Sequence, residues 1–559
     1  MSLTLIQQLQ QSLGQDLMRF MPELILCGGI VLLLLMRLFS AFNTVHLGWV
    51  ALGVVLAALA VSIQQWLEDG INSRHANLFT GMLAYDGLAI FLRLFLFSVT
   101  ALVIVLSLLT GIPDREDSAD FNCLLLGATL GMSIMASANH LLMVFIGVEM
   151  ASLPSYALAG FLKGKRQGSE ASLKYVVYGG GAAGIMLYGI SLLAGKFGTG
   201  FLPALATQYV AALPIAGMGI PLDPILGLGT LFILVGVAFK LAAVPFHFWC
   251  PDVFEGAAAE VAGFLSVASK GAALALLARI VFVFGGMDTT VGSLDSNWMG
   301  VAKILIPVLA LLAGVTATFG NLAAYMQTNL KRLLAYSTIA HAGYMMMGLA
   351  TMTREGASAV LFYLIVYMLM NLGAFAVVAF IRNQTGSEDL SGYRGLMRRS
   401  PILVVSLGFF LLSLLGIPPL AGFAAKYQIF SALYDAGRYY DGAGESGLSL
   451  TMYALLVVGG LNTVISAVYY IKVLKVVALE APPESANGVP VSQLDVSGGS
   501  LAYAGILAFL LLAVFVSWGP LADLADQSVY RFRADPSEKV PVNQKNLKAV
   551  VSPGKENPS

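Results

Sequence analysis

The sequence predicts an all-α polytopic membrane protein with about 14 transmembrane helices. Two observations predict this class. First, 58% of the residues are hydrophobic and 11% are charged, whereas about a quarter of the residues in a soluble domain are charged. Second, runs of about 20 apolar residues, the length that crosses the hydrocarbon core, recur from one end of the chain to the other. The formal net charge of zero gives no indication of a nucleic acid partner. The apolar runs instead predict that the surroundings of the chain are the lipid bilayer.

The predicted spans begin after a polar, mildly amphipathic segment. Residues 1–19 lack the basic region and the small-residue cleavage site of a signal peptide, so none is predicted. The spans that follow lie near residues 20–40, 46–66, 85–109, 121–138, 141–162, 172–195, 225–248, 257–284, 301–320, 330–351, 357–381, 401–434, 451–478 and 500–519.

Two of these spans contain prolines in the middle of an apolar run. Span seven carries Pro245, and span twelve carries Pro418 and Pro419 in GIPPLAGF. Proline removes a backbone donor and clashes with the preceding turn, so both helices are predicted to break there. A lysine flanks each break, Lys240 before the first and Lys426 after the second. This is the pattern of two five-helix units of opposite orientation; two ordinary proline kinks in a large bundle are the alternative.

The pattern of spans and breaks predicts five segments along the chain. They are residues 1–120 with spans one to three, 121–284 with the first inverted repeat, 301–480 with the second inverted repeat, 500–520 with the last span, and 523–559 as a polar, disordered tail.

Basic residues are distributed unevenly among the connections between spans. The odd-numbered connections hold most of the Lys and Arg residues, as in the fifth connection with Lys163, Lys165 and Arg166. By the positive-inside rule, the odd-numbered connections are predicted to face the cytoplasm. Both termini then lie on the periplasmic side of a bacterial inner membrane, the location favoured because no transit peptide is recognisable.

A few ionisable residues lie at membrane depth. Glu149 lies near the middle of LLMVFIGVEMASLPSYALAGF, and Lys240, Lys270 and Lys426 lie in or beside other spans. A charge at the centre of a membrane helix costs about 2.5–3.5 kcal/mol on insertion scales, so Glu149 is expected to pair with Lys240 from another helix. A static ion pair that only holds helices together is the alternative.

Lys270 and Lys426 have no obvious acidic partner at membrane depth. Asp86 and Arg93, near the start of span three, are the remaining acid and base. Burial disfavours a charged ammonium, so an unpaired lysine can bind and release a proton. At Lys240, movement of the Glu149 carboxylate towards or away from the ammonium would then load or unload the proton. The residue types and their depth therefore predict a Glu/Lys proton relay.

The histidines are ambiguous, and the sequence carries no signature of a cofactor or metal site. His341 in YSTIAHAGYMMMG either passes a proton between Lys270 and Lys426 or is a hydrogen-bonded core histidine. His140 and His247 lie near span ends and are interpreted as interfacial. No HExxH, Rossmann, Walker or haem motif is present, and YGGGAAG at 178–184 is interpreted as a helix-packing face.

The three cysteines, Cys27, Cys123 and Cys250, form no metal or disulfide pattern and are interpreted as core residues.

Five segments resemble the signature sequences of one family. They are EMASLPSYALAG, FKLAAVPFHFWCPDVFEGA, SVASKGAALALL, NLKRLLAYSTIAHAGY and GIPPLAGFAAKYQIF. Over about residues 85–480 the chain resembles the antiporter-like membrane subunits of respiratory complex I, a proton-pumping NADH–quinone oxidoreductase. The resemblance implies fourteen helices, two inverted repeats and proton translocation coupled to electron transfer from NADH to quinone in other subunits. It implies a translocase subunit that binds no cofactor and contacts neighbouring antiporter-like and quinone-module subunits.

The resemblance also implies roles for individual residues. It makes Glu149 the coupling glutamate, Lys240 its paired lysine, Lys270 the central lysine and Lys426 the exit-side lysine. Lys174 in SLKYVVYG matches a family lysine near the Glu149 pair, on the proton-entry route, and His341 matches a polar position on the central axis. Asn329 departs from the family, where an acid is common, so a cytoplasmic-side charge pair is expected to be missing there.

Two other classes of function stay open. A subunit of a multi-subunit Na⁺/H⁺ antiporter would share the helices, the breaks and the lysines. A purely structural membrane scaffold would share the helices but would have no use for unpaired lysines. Co-purification with NADH-oxidising, flavin-containing subunits separates the first alternative, and substitution of Glu149 and Lys270 separates the second.

Overall fold

The computed structural model describes residues 13–39, 46–69, 76–162, 164–213, 223–285, 296–481 and 493–530. The chain begins with helices α1 (Leu13–Arg19) and α2 (Met21–Arg37), which meet at an angle of 73°. Helices α3 (Gly48–Asp69) and α4 (Gly87–Thr110) follow. Between them lies a short antiparallel hairpin that the sequence did not predict, of strands β1 (Ala76–Leu78) and β2 (Leu83–Tyr85), with Ala76 opposite Tyr85.

The segment that contains the first broken span follows. Its helices are α5 (Ser118–Ser137), α6 (Leu141–Ala159), α7 (Arg166–Phe197), α8 (Leu202–Ala212), α9 (Pro224–Leu241), α10 (Trp249–Gly256), α11 (Ala259–Phe264), a π-helical turn (Leu265–Ser269) and α12 (Lys270–Gly285).

The segment that contains the second broken span, and the helices after it, complete the described fold. They are α13 (Ser296–Ala324), α14 (Leu330–Ala350), α15 (Arg354–Thr385), a 3₁₀ turn (Leu390–Tyr393), α16 (Leu396–Arg399), α17 (Pro401–Leu415), α18 (Ala421–Gly442), α19 (Ser446–Leu479), α20 (Gly498–Val516) and α21 (Gly519–Tyr530).

Both proline-containing spans are broken where the sequence predicts. Helix α9 ends at Leu241 with Ala242 in a left-handed conformation (φ 55°), and α10 begins only at Trp249. Helix α17 ends at Leu415 with Gly416 at φ 90°, a conformation that glycine adopts without a Cβ penalty. These unwound segments release backbone carbonyls inside the protein, where they need new partners.

The protein is a multi-pass membrane protein, but the expected count of about 14 spans is not confirmed. Among the described residues, 11 helices are long and apolar enough to cross a membrane, or 12 if the α1–α2 pair forms one span. The predicted spans 330–351 and 401–434 do not meet this test. The second is divided at Gly416, and the first is α14, which carries polar residues such as Ser337, Thr338 and His341.

The central helices explain how a span can be polar. In Ala259–Phe284 and Arg354–Thr385, 89% of the most apolar stretch is buried inside the protein, and nearly every residue of α14 is buried. In α7, α19 and α20 that share is 33%. The first group therefore forms the core and contacts protein, whereas the second group presents leucine, valine and isoleucine side chains outwards, as lipid contact requires.

The C-terminal segment differs from the prediction of a disordered tail from residue 523. Helix α21 continues to Tyr530. Ala525 and Val529, four residues apart and therefore on one face, are buried against α4 and α15. Burial of this apolar face stabilises a helix that the overall polarity of the segment conceals. Residues 531–559 lie outside the described residues.

Candidate functional site

Glu149 on α6 and Lys240 on α9 line one cavity, together with side chains of α7 such as Met186. Lys240 is 1% exposed, and among the described residues no protein atom forms a hydrogen bond with its Nζ. The charges of Glu149 and Lys240 act on each other, but no salt bridge within 4.0 Å joins them in the described part of the chain. The expected partners thus line the same cavity, but the expected ion pair is not formed.

Lys270 lies directly after the π-helical turn, at the start of α12. The side chain is 1% exposed, and none of the described protein atoms accepts a hydrogen bond from its Nζ. His247 and Cys250, from the unwound segment and α10, lie close enough for the charge of Lys270 to act on them. His247, which the sequence analysis interpreted as interfacial, is 3% exposed and so lies inside the protein.

His341 on α14 is the centre of a buried hydrogen-bond network. Its Nδ1 lies 2.7 Å from the hydroxyl of Tyr363, and its Nε2 lies 3.2 Å from the hydroxyl of Tyr470. The Tyr470 hydroxyl also shares a 2.5 Å hydrogen bond with Ser337. Sequence reasoning assigned no role to these tyrosines, because only the fold shows that α15 and α19 face His341. His341 thus has the hydrogen bonds of a core histidine and the surroundings of a relay group.

Lys426 lies on α18, the helix that follows the second break. Its Nζ donates a hydrogen bond of 2.9 Å to the carbonyl of Leu415 and lies 4.6 Å from the centre of the Tyr344 ring. The charges of both Lys270 and Lys426 act on His341. The structure therefore gathers Lys270, His341 and Lys426 in one buried region between α12, α14 and α18.

Lys174 lies on α7 in a partly exposed cluster of charges, and in the described part of the chain its ion pairs are with Glu170 and Asp252, not with Glu149. Its Nζ is 2.7 Å from Asp252 on α10, and Arg332 on α14 lies 2.7 Å from Asp252 and 2.7 Å from Glu255. Partial burial alone would raise the pKa of Asp252, but the hydrogen bonds from Lys174 and Arg332 hold that pKa below its ordinary value. The cluster ties α10, which follows the first break, to its neighbours.

The region around Asn329 is not short of charge pairs. Asn329 accepts a hydrogen bond from the backbone N–H of Arg332 and so caps α14. The next residue but one, Lys331, lies 2.8 Å from Glu388 and donates a 2.6 Å hydrogen bond to the carbonyl of Ala257. The sequence analysis expected a charge pair to be missing here, because Asn329 replaces an acid. Lys331 and Arg332 nevertheless form ion pairs in this region.

Three ion pairs are buried elsewhere in the described helices, and four of their six members were missed. Arg93 pairs with Glu23 at 2.7 Å, Asp86 with Arg279 at 2.7 Å, and Arg382 with Glu260 at 3.1 Å. Glu23 and Glu260 are each 0% exposed. The sequence signal for these pairs was an acidic residue at the edge of an apolar run. A carboxylate that is buried there needs a partner of opposite charge.

Metal-ligating side chains are dispersed in the described part of the chain, where no three His, Cys, Asp or Glu residues form a group that would hold a metal ion. Cys250 is buried, whereas Cys27 and Cys123 are partly exposed, and all three are free thiols.

The fold and the site define a class: a multi-pass membrane protein whose helical core carries ionisable side chains beside two broken spans. The family described as "NADH:quinone oxidoreductase/Mrp antiporter, TM" matches residues 138–441. A relative named NADH-quinone oxidoreductase subunit N, from Anaeromyxobacter sp. (strain Fw109-5), is 38% identical over 92% of this chain and 96% of its own. This chain belongs to that family, with the subunit N relatives.

Two solved structures show the same fold. A chain of respiratory complex I from Thermus thermophilus with bound Aureothin is 31% identical and has a TM-score of 0.68, covering 90% of this chain and 99% of that chain. A chain of the Mrp complex from Dietzia sp. DQ12-45-1b is 19% identical and has a TM-score of 0.77, covering 96% of this chain and 100% of that chain. At that identity the second likeness concerns the fold alone.

Proposed function

We propose that this chain is the proton-translocating membrane subunit of an NADH–quinone oxidoreductase, coupled to electron transfer from NADH to quinone in other subunits. Relatives named as subunits of that enzyme match this chain over almost their whole length. This chain works as one membrane subunit of a multi-subunit complex. The observation that carries the proton-relay part is the burial of Lys240, Lys270 and Lys426. Among the described residues, none of the three lies within salt-bridge distance of a carboxylate.

The relay begins at the Glu149 and Lys240 cavity. When the Glu149 carboxylate approaches Lys240, it stabilises the charged ammonium, and when it moves away, burial favours release of the proton. The first structural support is that the two groups line the same cavity without a salt bridge between them. Lys174 lies outside this cavity. Together with Asp252 and Arg332 it forms a charged cluster at the entry side of the proton route, where the cluster attracts water and protons.

The second half of the relay is the group of Lys270, His341 and Lys426. Lys270 receives the proton, His341 transmits it through its two tyrosine hydrogen bonds, and Lys426 delivers it at the second break. Imidazole accepts a proton on one ring nitrogen while it releases one from the other, which suits a residue with a partner on each side.

The test uses the intact complex in sealed membrane vesicles. Lys270→Met is expected to leave the complex assembled but to stop proton translocation driven by NADH, because the methionine keeps the volume and loses the titratable group. Lys196→Met is the matched control, since Lys196 is 39% exposed and pairs with Asp223 at the surface. Wild-type translocation in Lys270→Met would remove Lys270 from the relay.

The antiporter and scaffold alternatives have their own discriminating results. Purification from detergent extract is expected to bring down NADH-oxidising, flavin-containing subunits; a chain that comes down only with other membrane subunits and exchanges Na⁺ for H⁺ would be an antiporter subunit. A scaffold would keep full activity in Glu149→Gln and Lys270→Met once assembly is normal.

The location and the internal symmetry are part of the same proposal. The chain lies in the bacterial inner membrane with both termini on the periplasmic side, and residues 121–284 and 301–480 form two inverted repeats. The position of each lysine supports the repeats, since Lys240 precedes the first break and Lys426 follows the second. Reagents that do not cross the membrane are expected to label a cysteine placed at either terminus from the periplasm.

A further inference from the structure

Helix α15 carries a stripe of polar residues that faces the core. Tyr363, Tyr367 and Asn371 follow one another at intervals of four residues and therefore lie on one side of the helix. All three are 0% exposed. This stripe, defined as Tyr363, Tyr367 and Asn371, lies in a span whose other core positions are mostly apolar, so its polarity needs an explanation.

The two ends of the stripe contact different parts of the site. At one end, Tyr363 shares a 2.7 Å hydrogen bond with His341. At the other end, Asn371 donates a 2.6 Å hydrogen bond from Nδ2 to Ser266, which in turn donates a 2.7 Å hydrogen bond to the carbonyl of Gly263. Ser266 belongs to the π-helical turn that directly precedes Lys270. The stripe thus spans the distance from the Lys270 turn to His341.

Along the stripe and the adjoining Lys270 turn, several buried polar atoms have no hydrogen-bond partner among the described residues. Among the described residues, no hydrogen bond within 3.5 Å reaches the Tyr367 hydroxyl, the Asn371 Oδ1, the Ser269 Oγ or the Lys270 Nζ, although the Thr338 side chain lies near the Tyr367 hydroxyl. The ring of Tyr367 lies 5.3 Å from the ring of His341. Buried polar groups nearly always have partners, because an unpaired one is costly, so these four groups are the ones that bound water would satisfy.

We propose that Tyr367 is a proton-relay residue between Lys270 and His341, and that Asn371 is a positioning residue that holds the Lys270 turn through Ser266. This inference rests on the proposed function and adds two residues of α15 to the role already given to Tyr363. One proton arrives at the Tyr367 oxygen as the phenol's own proton leaves towards the His341 network, so the tyrosine is unchanged after each transfer. Asn371 acts because the π-helical turn sets the direction of the Lys270 side chain.

The test measures NADH-driven proton translocation per assembled complex in sealed vesicles. Tyr367→Phe keeps the ring and removes the hydroxyl, and is expected to lower the translocation rate roughly tenfold or more, as loss of a positioned acid–base group does. Asn371→Leu is expected to lower it too, and Asn371→Gln, which keeps a donor amide, is expected to recover part of the loss.

Two variants serve as matched controls. Tyr393, in the 3₁₀ turn, is a fully buried tyrosine whose hydroxyl also has no described partner, and Asn122 on α5 is a buried asparagine bonded within its own helix. Tyr393→Phe and Asn122→Leu are expected to pump at the wild-type rate. Equal rates for Tyr367→Phe and Tyr393→Phe would overturn the inference. If Lys270→Met stops translocation while Tyr367→Phe does not, the proposed function of the lysines is retained and the relay role of Tyr367 is wrong.

Discussion

Lys426 donates a hydrogen bond of 2.9 Å from its Nζ to the backbone carbonyl of Leu415. Leu415 is the last residue of α17, so the acceptor is one of the carbonyls that the break in the span releases. The same ammonium group faces the ring of Tyr344. One side chain therefore both closes a broken helix and presents a titratable group to the cluster on α14.

These two tasks of Lys426 can be separated by substitution. Lys426→Met is expected to lower the free energy of unfolding by about 1–3 kcal/mol, because the Leu415 carbonyl loses its partner in the core, and to stop proton translocation. Lys426→Gln keeps an N–H donor and is expected to regain stability but not translocation. Thermal unfolding of the purified complex and NADH-driven proton uptake by vesicles measure the two effects. Normal translocation in Lys426→Gln would contradict a titrating role.

The buried pair of Glu260 and Arg382 is expected to be sensitive to loss of one partner only. Glu260→Gln leaves the Arg382 guanidinium without its counter-charge and should destabilise the protein by about 3–5 kcal/mol. The double variant Glu260→Met, Arg382→Met should be clearly more stable than Glu260→Gln alone. The surface pair of Lys303 and Glu445 is the control, and Glu445→Gln should change stability by about 1 kcal/mol or less. A Glu260→Gln variant that unfolds like wild type would contradict this account.

The close approach of α17 and α18 depends on Gly422. A Cβ at Gly422 would collide with the carbonyl of Ser413, which is backbone and cannot move aside. Gly422→Ala is therefore expected to disrupt the second break and to reduce the amount of assembled complex strongly. Gly442, at the end of the same helix α18, has open space around its Cβ position, so Gly442→Ala is the control and should assemble normally. Equal yields of the two variants would exclude tight packing as the reason for glycine here.

The link between α7, α10 and α14 is expected to depend on pH through Asp252. The pKa of Asp252 is held below its ordinary value of 3.8, so its contribution to stability is complete at higher pH and is lost as the pH falls through the folded-state pKa. Asp252→Asn should be less stable than wild type at neutral pH. This difference should begin to shrink as the pH falls below 3.8, where the carboxylate of the unfolded chain binds a proton, and should disappear below the lower pKa of the folded state. Thermal unfolding at several pH values measures it, and a difference that grows in acid would contradict the assignment.

The sequence by itself determined the class of fold, the position of both breaks and the identity of three of the four lysines that are buried among the described residues. Each of these follows from a local property: the length of an apolar run, the missing N–H of proline, and the cost of a charge in hydrocarbon. Lys240, Lys270 and Lys426 stand out on those grounds alone, without knowledge of their neighbours.

Only the tertiary structure decided which groups meet. It placed Tyr363 and Tyr470 on either side of His341, paired Glu260 with Arg382, and put Lys174 in a surface cluster with Asp252. It also showed that α21 is a helix and that Glu149 and Lys240 line one cavity without forming a salt bridge. The physical reason is that partners on different helices are set by which helices pack together, and the periodicity of any one helix carries no record of its neighbour.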